Sequence, residues 1–352
     1  MARKRNLRRR KRTVDAPSLE KDNVKMERNT SSQRNFITVI VLAIAMMLGV
    51  VFRQGNSSHE HATTSDFFEE ESDFNSPAGD EINEDFSAQV MTYEDFELLD
   101  SFEHDDKAFT QGLTYFDGHV YEGTGMHGSS SIKKLGTDFS STVLSNDLKE
   151  EYFGEGITYY KTPGGKDRFI QLTWREKTAF VYDAETLSLL RSFQYDNFTG
   201  EGWGITWDEN NSEFIISDGS DFLYIYDTEN FEEKRRFKVS AYTDHGSSPI
   251  PVTLLNELEF VPSQIDATND FVLNDRPSST VLANVWHENF IIEIDLASGV
   301  VLRLYDISSL CPQVTGENVL NGISVTGDQD SRMFYITGKL WKKLHKVRLK
   351  VT

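Results

Sequence analysis

Residues 153–160 read FGEGITYY, a run in which two glycines precede alternating β-branched and aromatic residues. Related runs recur along the chain, and their equivalent leucine or isoleucine positions are spaced by 44, 48, 53 and 65 residues. These positions are Leu113, Ile157, Ile205, Leu258 and Ile323. Each run is followed by further strand-like runs, and most copies hold four in about 50 residues, a pattern that indicates a β-propeller. We therefore predict an all-β, five-bladed β-propeller over residues 95–352.

The last copy stops at its third strand, which raises the question of how the ring closes. Residues 96–102, FELLDSF, precede the first copy and could supply the missing strand. Such closure would remove two exposed sheet edges. A β-sandwich is the alternative all-β fold, but it does not predict five equivalent units. The longest interval contains an insertion rich in Asp, Asn, Ser and Pro at 262–279, which we interpret as a surface loop.

The first part of the chain has a different composition. Residues 1–35 carry 12 Lys and Arg against 4 Asp and Glu, and 36–52 form an uncharged apolar run. Seventeen apolar residues are about the minimum that spans a bilayer. The basic side of such a span faces the cytosol. We predict a cytosolic tail over 1–35 and an uncleaved transmembrane signal anchor over 36–52. An acidic disordered stalk is expected over 53–94, because acidic segments with few apolar residues repel themselves.

Charge and cysteine content exclude several classes of protein. Beyond residue 35 the chain carries 24 basic against 52 acidic residues, so nucleic acid is not expected as a partner. The single Cys311 excludes an intrachain disulfide framework. Sequons at Asn56, Asn197 and Asn210 fit a glycoprotein whose propeller faces the secretory lumen or the outside. We expect a single-pass type II membrane protein of the endoplasmic reticulum, Golgi or cell surface, and a monomer.

Unusual polar and aromatic residues occur at matching positions of the repeat, and a propeller brings matching positions together around its channel. Near the start of each first run stand Gln111, Glu155, Glu201, Asn256 and Asn321. Near the end of each second run stand Glu122, Trp174, Asp218, Trp286 and Lys339. Each alone has an ordinary interpretation, since a tryptophan can pack in a core and a glutamate can cap a turn. Together they predict a ligand pocket at one mouth of the channel.

Ten ordered motifs give the region 95–350 a resemblance to a known family. They are AFTQGLTY (108–115), YEGTGMHGSSSIKKL (121–135), FGEGIT (153–158), QLTWREKTAFVYD (171–183), GEGWGIT (200–206), ISDGS (216–220), LNELEF (255–260), ANVW (283–286), LNGI (320–323) and TGKLW (337–341). The region resembles the glutaminyl-peptide cyclotransferases of plant and bacterial type. The resemblance implies a five-bladed propeller that converts the N-terminal glutamine of peptides into pyroglutamate and releases ammonia.

The resemblance also implies roles for individual residues. Glu122, in the EGTG motif, is expected to be the general acid and base, with Lys339 beside it to hold its carboxyl ionised. Trp174 and Trp286 are expected to pack the glutaminyl side chain. Gln111, Asn256 and Lys339 are expected to bind its polar groups or to stabilise the oxyanion. No cofactor and no metal are expected. The alternative is a non-catalytic propeller that binds peptide or glycan in the secretory lumen.

Overall fold

The computed structural model describes residues 89–262, 279–328 and 330–351. In this part of the chain all regular elements are β-strands. It contains no helix with the length and apolar character that crossing a membrane requires. The predicted tail, the predicted anchor and most of the predicted stalk lie outside the described residues. The same is true of most of the 262–279 insertion.

Twenty-three strands are formed by the described residues. In chain order they are β1 (Thr92–Glu94), β2 (Phe96–Glu103), β3 (Thr110–Phe116), β4 (His119–Thr124), β5 (Ser131–Leu135), β6 (Thr142–Asp147), β7 (Gly154–Lys161), β8 (Asp167–Thr173), β9 (Thr178–Asp183), β10 (Leu189–Gln194), β11 (Ile205–Asp208), β12 (Glu213–Ser217), β13 (Phe222–Asp227), β14 (Glu233–Lys238), β15 (Ser240–Ala241), β16 (Ile250–Pro251), β17 (Leu255–Val261), β18 (Thr280–Val285), β19 (Phe290–Asp295), β20 (Val301–Asp306), β21 (Leu320–Val325), β22 (Met333–Gly338) and β23 (Lys343–Leu349).

These strands form five blades, which confirms the predicted propeller. Four blades are consecutive antiparallel sheets, β3–β6, β7–β10, β11–β14 and β17–β20. The fifth contains β21, β22 and β23, and its outer strand is β2 from the start of the domain. The predicted closure by residues 96–102 is therefore confirmed. A small separate ribbon, β15 with β16, follows the third blade.

The first strand lies within the segment that the sequence predicts as stalk. Thr92–Glu94 form β1, which pairs in parallel with the outer strand β20 of the fourth blade. The Thr92 hydroxyl donates to the Glu94 carboxylate, and Glu94 is buried. The acidic composition of this stretch hid the strand, because an added edge strand is held mainly by backbone hydrogen bonds rather than by apolar side chains.

The hydrophobic core lies between the blades. Alternate residues of each strand point to opposite faces, so the aromatic and β-branched positions of neighbouring blades meet. Tyr160 of the second blade, for example, packs edge-on against Phe214 of the third, with ring centroids 4.9 Å apart. Both rings are fully buried. Similar clusters lie between the first and second blades, between the fourth and fifth, and between the fifth and first.

Glycines allow the inner strands to approach closely around the channel. A Cβ on Gly156 would lie 2.7 Å from the Trp203 carbonyl oxygen, and the Gly156 N–H donates to that oxygen. A Cβ on Gly204 would lie 2.0 Å from the Asn256 carbonyl oxygen. Such separations are below van der Waals contact. The repeated Gly-x-Gly of the deciding motif is therefore required by close backbone packing of successive inner strands.

Bulges occur at equivalent points of four inner strands. The pairing register shifts between Thr110 and Gly112, between Gly154 and Ile157, between Leu255 and Leu258, and between Leu320 and Ile323. A bulge breaks the strict alternation of side chains and changes the direction of the residue it contains. The residues inside these bulges include Gln111, Glu155, Asn256 and Asn321.

Candidate active site

A cavity of about 740 Å³ opens at one mouth of the channel. Its wall combines aromatic surface with a few polar groups, which is the usual composition of a small-molecule site. The lining residues are Lys107, Phe109, Gln111, Met126, Ser129, Phe153, Glu155, Trp174, Trp203, Asn256, Trp286, Glu317, Lys339 and Leu340. Five of the six predicted site residues are in this set, and Glu122 lies outside the cavity.

The backbone explains why Glu122 is displaced. Three cavity residues come directly after the second strand of their blade: Trp174, Trp286 and Lys339. The backbone N–H of each donates to the carbonyl of the residue just before the inner strand, which is Phe153, Leu254 or Val319. In the first blade the residue that makes this bond is Gly125, which donates to the Phe109 carbonyl. Glu122 is three residues earlier, inside β4, and faces Leu113 and Lys133 across the sheet. The EGTG motif therefore contributes glycine, not glutamate, at the equivalent position.

Glu122 instead belongs to a buried polar cluster. Its Oε1 accepts from the Thr110 hydroxyl at 2.7 Å and lies 3.1 Å from His104 Nε2. His104 Nδ1 is 2.9 Å from the Trp341 carbonyl, which can only accept, so Nδ1 carries a proton. Burial raises the pKa of Glu122, but the His104 and Thr110 contacts outweigh it and the net pKa is lowered. Burial likewise opposes the charge on His104, whose net pKa is raised by Glu122.

The carboxyl inside the cavity is that of Glu155. Its Oε1 accepts a hydrogen bond from Gln111 Nε2 at 3.0 Å, and the residue is 5% exposed. Burial raises the pKa of Glu155 well above its usual range, the charge of Lys339 opposes this rise, and Glu201 and Glu176 add to it. A carboxyl whose pKa is raised holds its proton more readily than an ordinary glutamate, as a group that both takes and returns a proton requires.

Lys339 provides the cation of the cavity. Its Nζ lies 4.9 Å from the centroid of the Phe109 ring, and the residue is 5% exposed. Burial lowers the pKa of Lys339, while the negative charges of Glu155 and Glu317 oppose that change. The predicted neighbour of Lys339 was Glu122, but the carboxyls whose charges act on Lys339 are those of Glu155 and Glu317.

Two amide side chains differ in how they are held. Gln111 is fixed from both ends, because its Nε2 donates to Glu155 and its Oε1 accepts from Asn321 Nδ2 at 3.0 Å. Asn256 Oδ1 and Trp286 Nε1 are buried and have no hydrogen-bond partner among the described residues. Unpaired buried polar groups in a cavity wall cost free energy unless a ligand pairs them. Both residues line the cavity, so a ligand group that reached these two atoms would satisfy them.

Aromatic rings form most of the remaining wall. Trp203 meets Trp286 edge-to-face, with centroids 5.6 Å apart and an angle of 84°. Trp174 lies 5.7 Å from the Phe153 ring, and Phe153 in turn contacts Phe109. Trp174 and Trp286 thus line the same cavity, and a third tryptophan, Trp203, contacts Trp286.

Sequence reasoning placed Glu155 at the mouth of the channel without a chemical role, and it missed three further lining residues. Phe109 and Phe153 occupy matching positions just before β3 and β7, which was a usable signal. Trp203 stands two residues before Ile205, as Gln111 and Glu155 stand two residues before Leu113 and Ile157, so the repeat also marked Trp203. Asp218, predicted near the mouth, instead anchors the neighbouring loop by accepting from Thr199, Ser220 and Tyr224.

Metal binding has no support in the described residues, where no group of three or more His, Cys, Asp or Glu side chains is close enough to hold an ion. The polar groups of the cavity wall include the Glu155 and Glu317 carboxyls, the Lys339 and Lys107 amines, the Ser129 hydroxyl, the two amides and the indole N–H of Trp286.

Comparison with known proteins identifies the family of the chain. A sequence model of the glutamine cyclotransferase family matches residues 75–349. The chain is 28% identical over 332 residues to a glutaminyl-peptide cyclotransferase of Arabidopsis thaliana, an alignment that covers 92% of this chain and 88% of that protein. The crystal structure of a glutaminyl cyclase from Myxococcus xanthus superimposes with a TM-score of 0.59 at 30% identity, covering 74% of this chain and 99% of that one. The chain belongs to the glutamine cyclotransferase family.

Proposed function

We propose that this protein converts the N-terminal glutaminyl residue of peptides or proteins into a pyroglutamyl residue and releases ammonia. The observation that carries the proposal is a buried carboxyl, Glu155, at the base of a tryptophan-lined cavity with Lys339 beside it. Family membership makes this chemistry the first to test, because the named relatives are cyclotransferases.

The cavity accommodates a glutaminyl residue at the end of a peptide. The tryptophan faces would pack against the methylene groups of the side chain. Asn256 Oδ1, buried and unpaired among the described residues, would accept from the α-amine or from the carboxamide NH₂. Holding the amine close to the side-chain carbonyl carbon makes ring closure intramolecular, and positioning alone then supplies much of the rate.

Glu155 would transfer the proton. The α-amine nitrogen bonds to the side-chain amide carbon, and the ionised Glu155 takes a proton from that nitrogen. The carbon–nitrogen bond to the side-chain NH₂ then breaks, and Glu155 returns the proton so that ammonia leaves. The raised pKa of Glu155, caused by burial, favours the return of the proton to the leaving group. Gln111 would keep the carboxyl oriented through its 3.0 Å hydrogen bond.

The tetrahedral intermediate carries negative charge on the former carbonyl oxygen. Lys339 Nζ and Trp286 Nε1 are the donors that the cavity offers to this oxygen. Trp286 Nε1 is buried and unpaired in the described part of the chain, so a bond to the oxyanion would satisfy it. Donors that are fixed before the reaction stabilise such charge most effectively.

A direct test uses purified protein and a peptide that begins with glutamine. Cyclisation is followed by mass spectrometry as loss of ammonia, against the spontaneous rate of the same peptide. The matched control is the same peptide with an acetylated α-amine, which cannot attack. Turnover of the free peptide alone supports the proposal. A folded protein that accelerates neither reaction would favour a propeller that binds peptide or glycan without changing it.

We also propose that residues 36–52 anchor the protein in a membrane with the propeller in the secretory lumen. The support is the uncharged run, the basic segment before it and the sequons after it. Protease protection of the propeller in sealed microsomes, with loss of mass after glycosidase treatment, is the expected result. A propeller digested in sealed microsomes and unaffected by glycosidase would contradict this topology.

A further inference from the structure

Glu201 lies outside the cavity but contacts two of its tryptophans. Its Oε2 accepts from Trp174 Nε1 at 2.8 Å and from Trp203 Nε1 at 3.0 Å. One carboxylate oxygen therefore collects the indole N–H groups of two separate wall residues. Hydrogen bonds to an ionised acceptor are stronger than those between neutral groups, so each indole is held firmly at its edge.

The second oxygen of Glu201 is held from outside by Arg175. Arg175 Nε donates to Glu201 Oε1 at 2.8 Å, and the guanidinium carbon lies 3.8 Å from the Trp174 ring centroid. The Glu201 backbone is fixed as well, because Asn197 Nδ2 donates to its carbonyl at 2.6 Å. Glu201 has a well-defined position before any ligand enters.

The third tryptophan depends on this arrangement indirectly. Trp286 Nε1 has no protein partner in the described residues, and the ring is oriented by its edge-to-face contact with Trp203. An error in the orientation of Trp203 would therefore reach Trp286 and its donor. We propose that Glu201 is a positioning residue that sets the orientation of the tryptophan wall.

The inference rests on the proposed cyclisation, so its test includes a readout that does not need turnover. The protein contains five tryptophans, and incorporation of 5-fluorotryptophan gives five ¹⁹F resonances. Glu201→Ala should shift the resonances of Trp174 and Trp203, assigned with Trp174→Phe and Trp203→Phe, and leave those of Trp207 and Trp341 in place. Glu213→Ala is the matched control, since Glu213 is also a partly buried carboxylate in an ion pair.

Kinetics and a conservative variant complete the test. For a glutaminyl peptide, Glu201→Ala should raise KM by about tenfold, the consequence of losing roughly one charge-assisted hydrogen bond. Glu201→Gln keeps an oxygen that can accept from the indoles, so it should keep KM within about twofold of wild type. Unchanged ¹⁹F spectra and KM in Glu201→Ala would overturn the positioning role, and so would a Glu201→Gln variant as impaired as Glu201→Ala.

Failure of the proposed function would look different. If the wild-type protein has no cyclase activity, the ¹⁹F spectra of wild type and Glu201→Ala can still be compared, because that comparison does not need turnover. Titration with pyroglutamyl-alanine, the expected product, then reports on the wall directly. Weaker binding to Glu201→Ala than to wild type supports the positioning role, and equal binding contradicts it.

Discussion

Replacing Glu122 by alanine should destabilise the protein strongly and leave catalysis almost intact. The substitution removes two buried hydrogen bonds, from Thr110 at 2.7 Å and from His104 at 3.1 Å. It also leaves His104, whose side chain is fully buried, without its carboxylate. Removing one partner of a buried ion pair costs about 3–5 kcal/mol. For a domain of this size that corresponds to a fall of roughly 6–20 °C in Tm.

The cost should depend on pH. At pH 7.5 the unpaired His104 can lose its proton, so the loss should be near the lower end of the range, about 3 kcal/mol. At pH 5.5 an unpaired imidazolium would stay buried, and the loss should approach about 5 kcal/mol. Denaturant unfolding at both pH values measures the difference. Glu213→Ala, which breaks an ion pair at the surface, should cost less than about 1 kcal/mol at either pH.

Activity decides between a structural and a catalytic Glu122. Below its melting transition, the folded Glu122→Ala variant should keep kcat/KM within about threefold of wild type. A stability equal to that of wild type would refute the assignment of a buried ion pair. A folded, stable variant that had lost activity a hundredfold or more would return Glu122 to the catalytic role that the family resemblance implied.

Three further outcomes follow from the same geometry. The His104–Glu122 pair should stabilise the folded protein most between about pH 4.5 and 6.5. The pKa of His104 is raised, so its contribution to the unfolding free energy is lost as the pH rises above this window. The pKa of Glu122 is lowered, so its contribution is lost as the pH falls below it. The difference in unfolding free energy between wild type and His104→Gln across pH measures this. Gly204→Ala places a Cβ 2.0 Å from the Asn256 carbonyl and should cost at least about 1–3 kcal/mol, whereas Gly164→Ala, with open space around it, should be nearly neutral in thermal unfolding. Lys339→Met keeps an aliphatic chain over Phe109 and removes the charged donor, so steady-state kinetics should show kcat falling by about 10²–10³ with a smaller change in KM.

The repeat made the fold predictable from the sequence. Five related runs gave five blades, and the unpaired FELLDSF segment gave the closing strand β2. Strand β1 could not be predicted, because its three residues lack an apolar pattern and pair through the backbone at the edge of the fourth blade.

The candidate site was predictable only in part, for a reason of register. Trp174, Trp286 and Lys339 are matched in the backbone hydrogen-bond pattern, and the sequence alignment placed them correctly. The sequence analysis matched Glu122 to these three residues because it is a polar residue near the end of a second strand. The backbone hydrogen bonds instead make Gly125, three residues later, the equivalent position. Bulges in the inner strands add to the difficulty, because they change which residue faces the channel without leaving a sequence signal.

The contact between Glu201 and the two indoles was also beyond the sequence. Trp174 and Glu201 are separated by 26 intervening residues and belong to different blades, and only the folded backbone brings the carboxylate to the indole edge. The sequence predicted a polar and aromatic mouth of the channel, and the structure shows which of those residues line the cavity.

The central claim is that the carboxyl of Glu155 transfers the proton. The most direct test compares kcat/KM of Glu155→Gln and Glu122→Gln on one glutaminyl peptide, with folding of both verified by circular dichroism. Glutamine retains the oxygen that accepts from Gln111 in the first variant and from Thr110 in the second. The account predicts a loss of about 10²–10⁴-fold in Glu155→Gln and near wild-type activity in Glu122→Gln. The reverse result, an active Glu155→Gln beside an inactive Glu122→Gln, would contradict it.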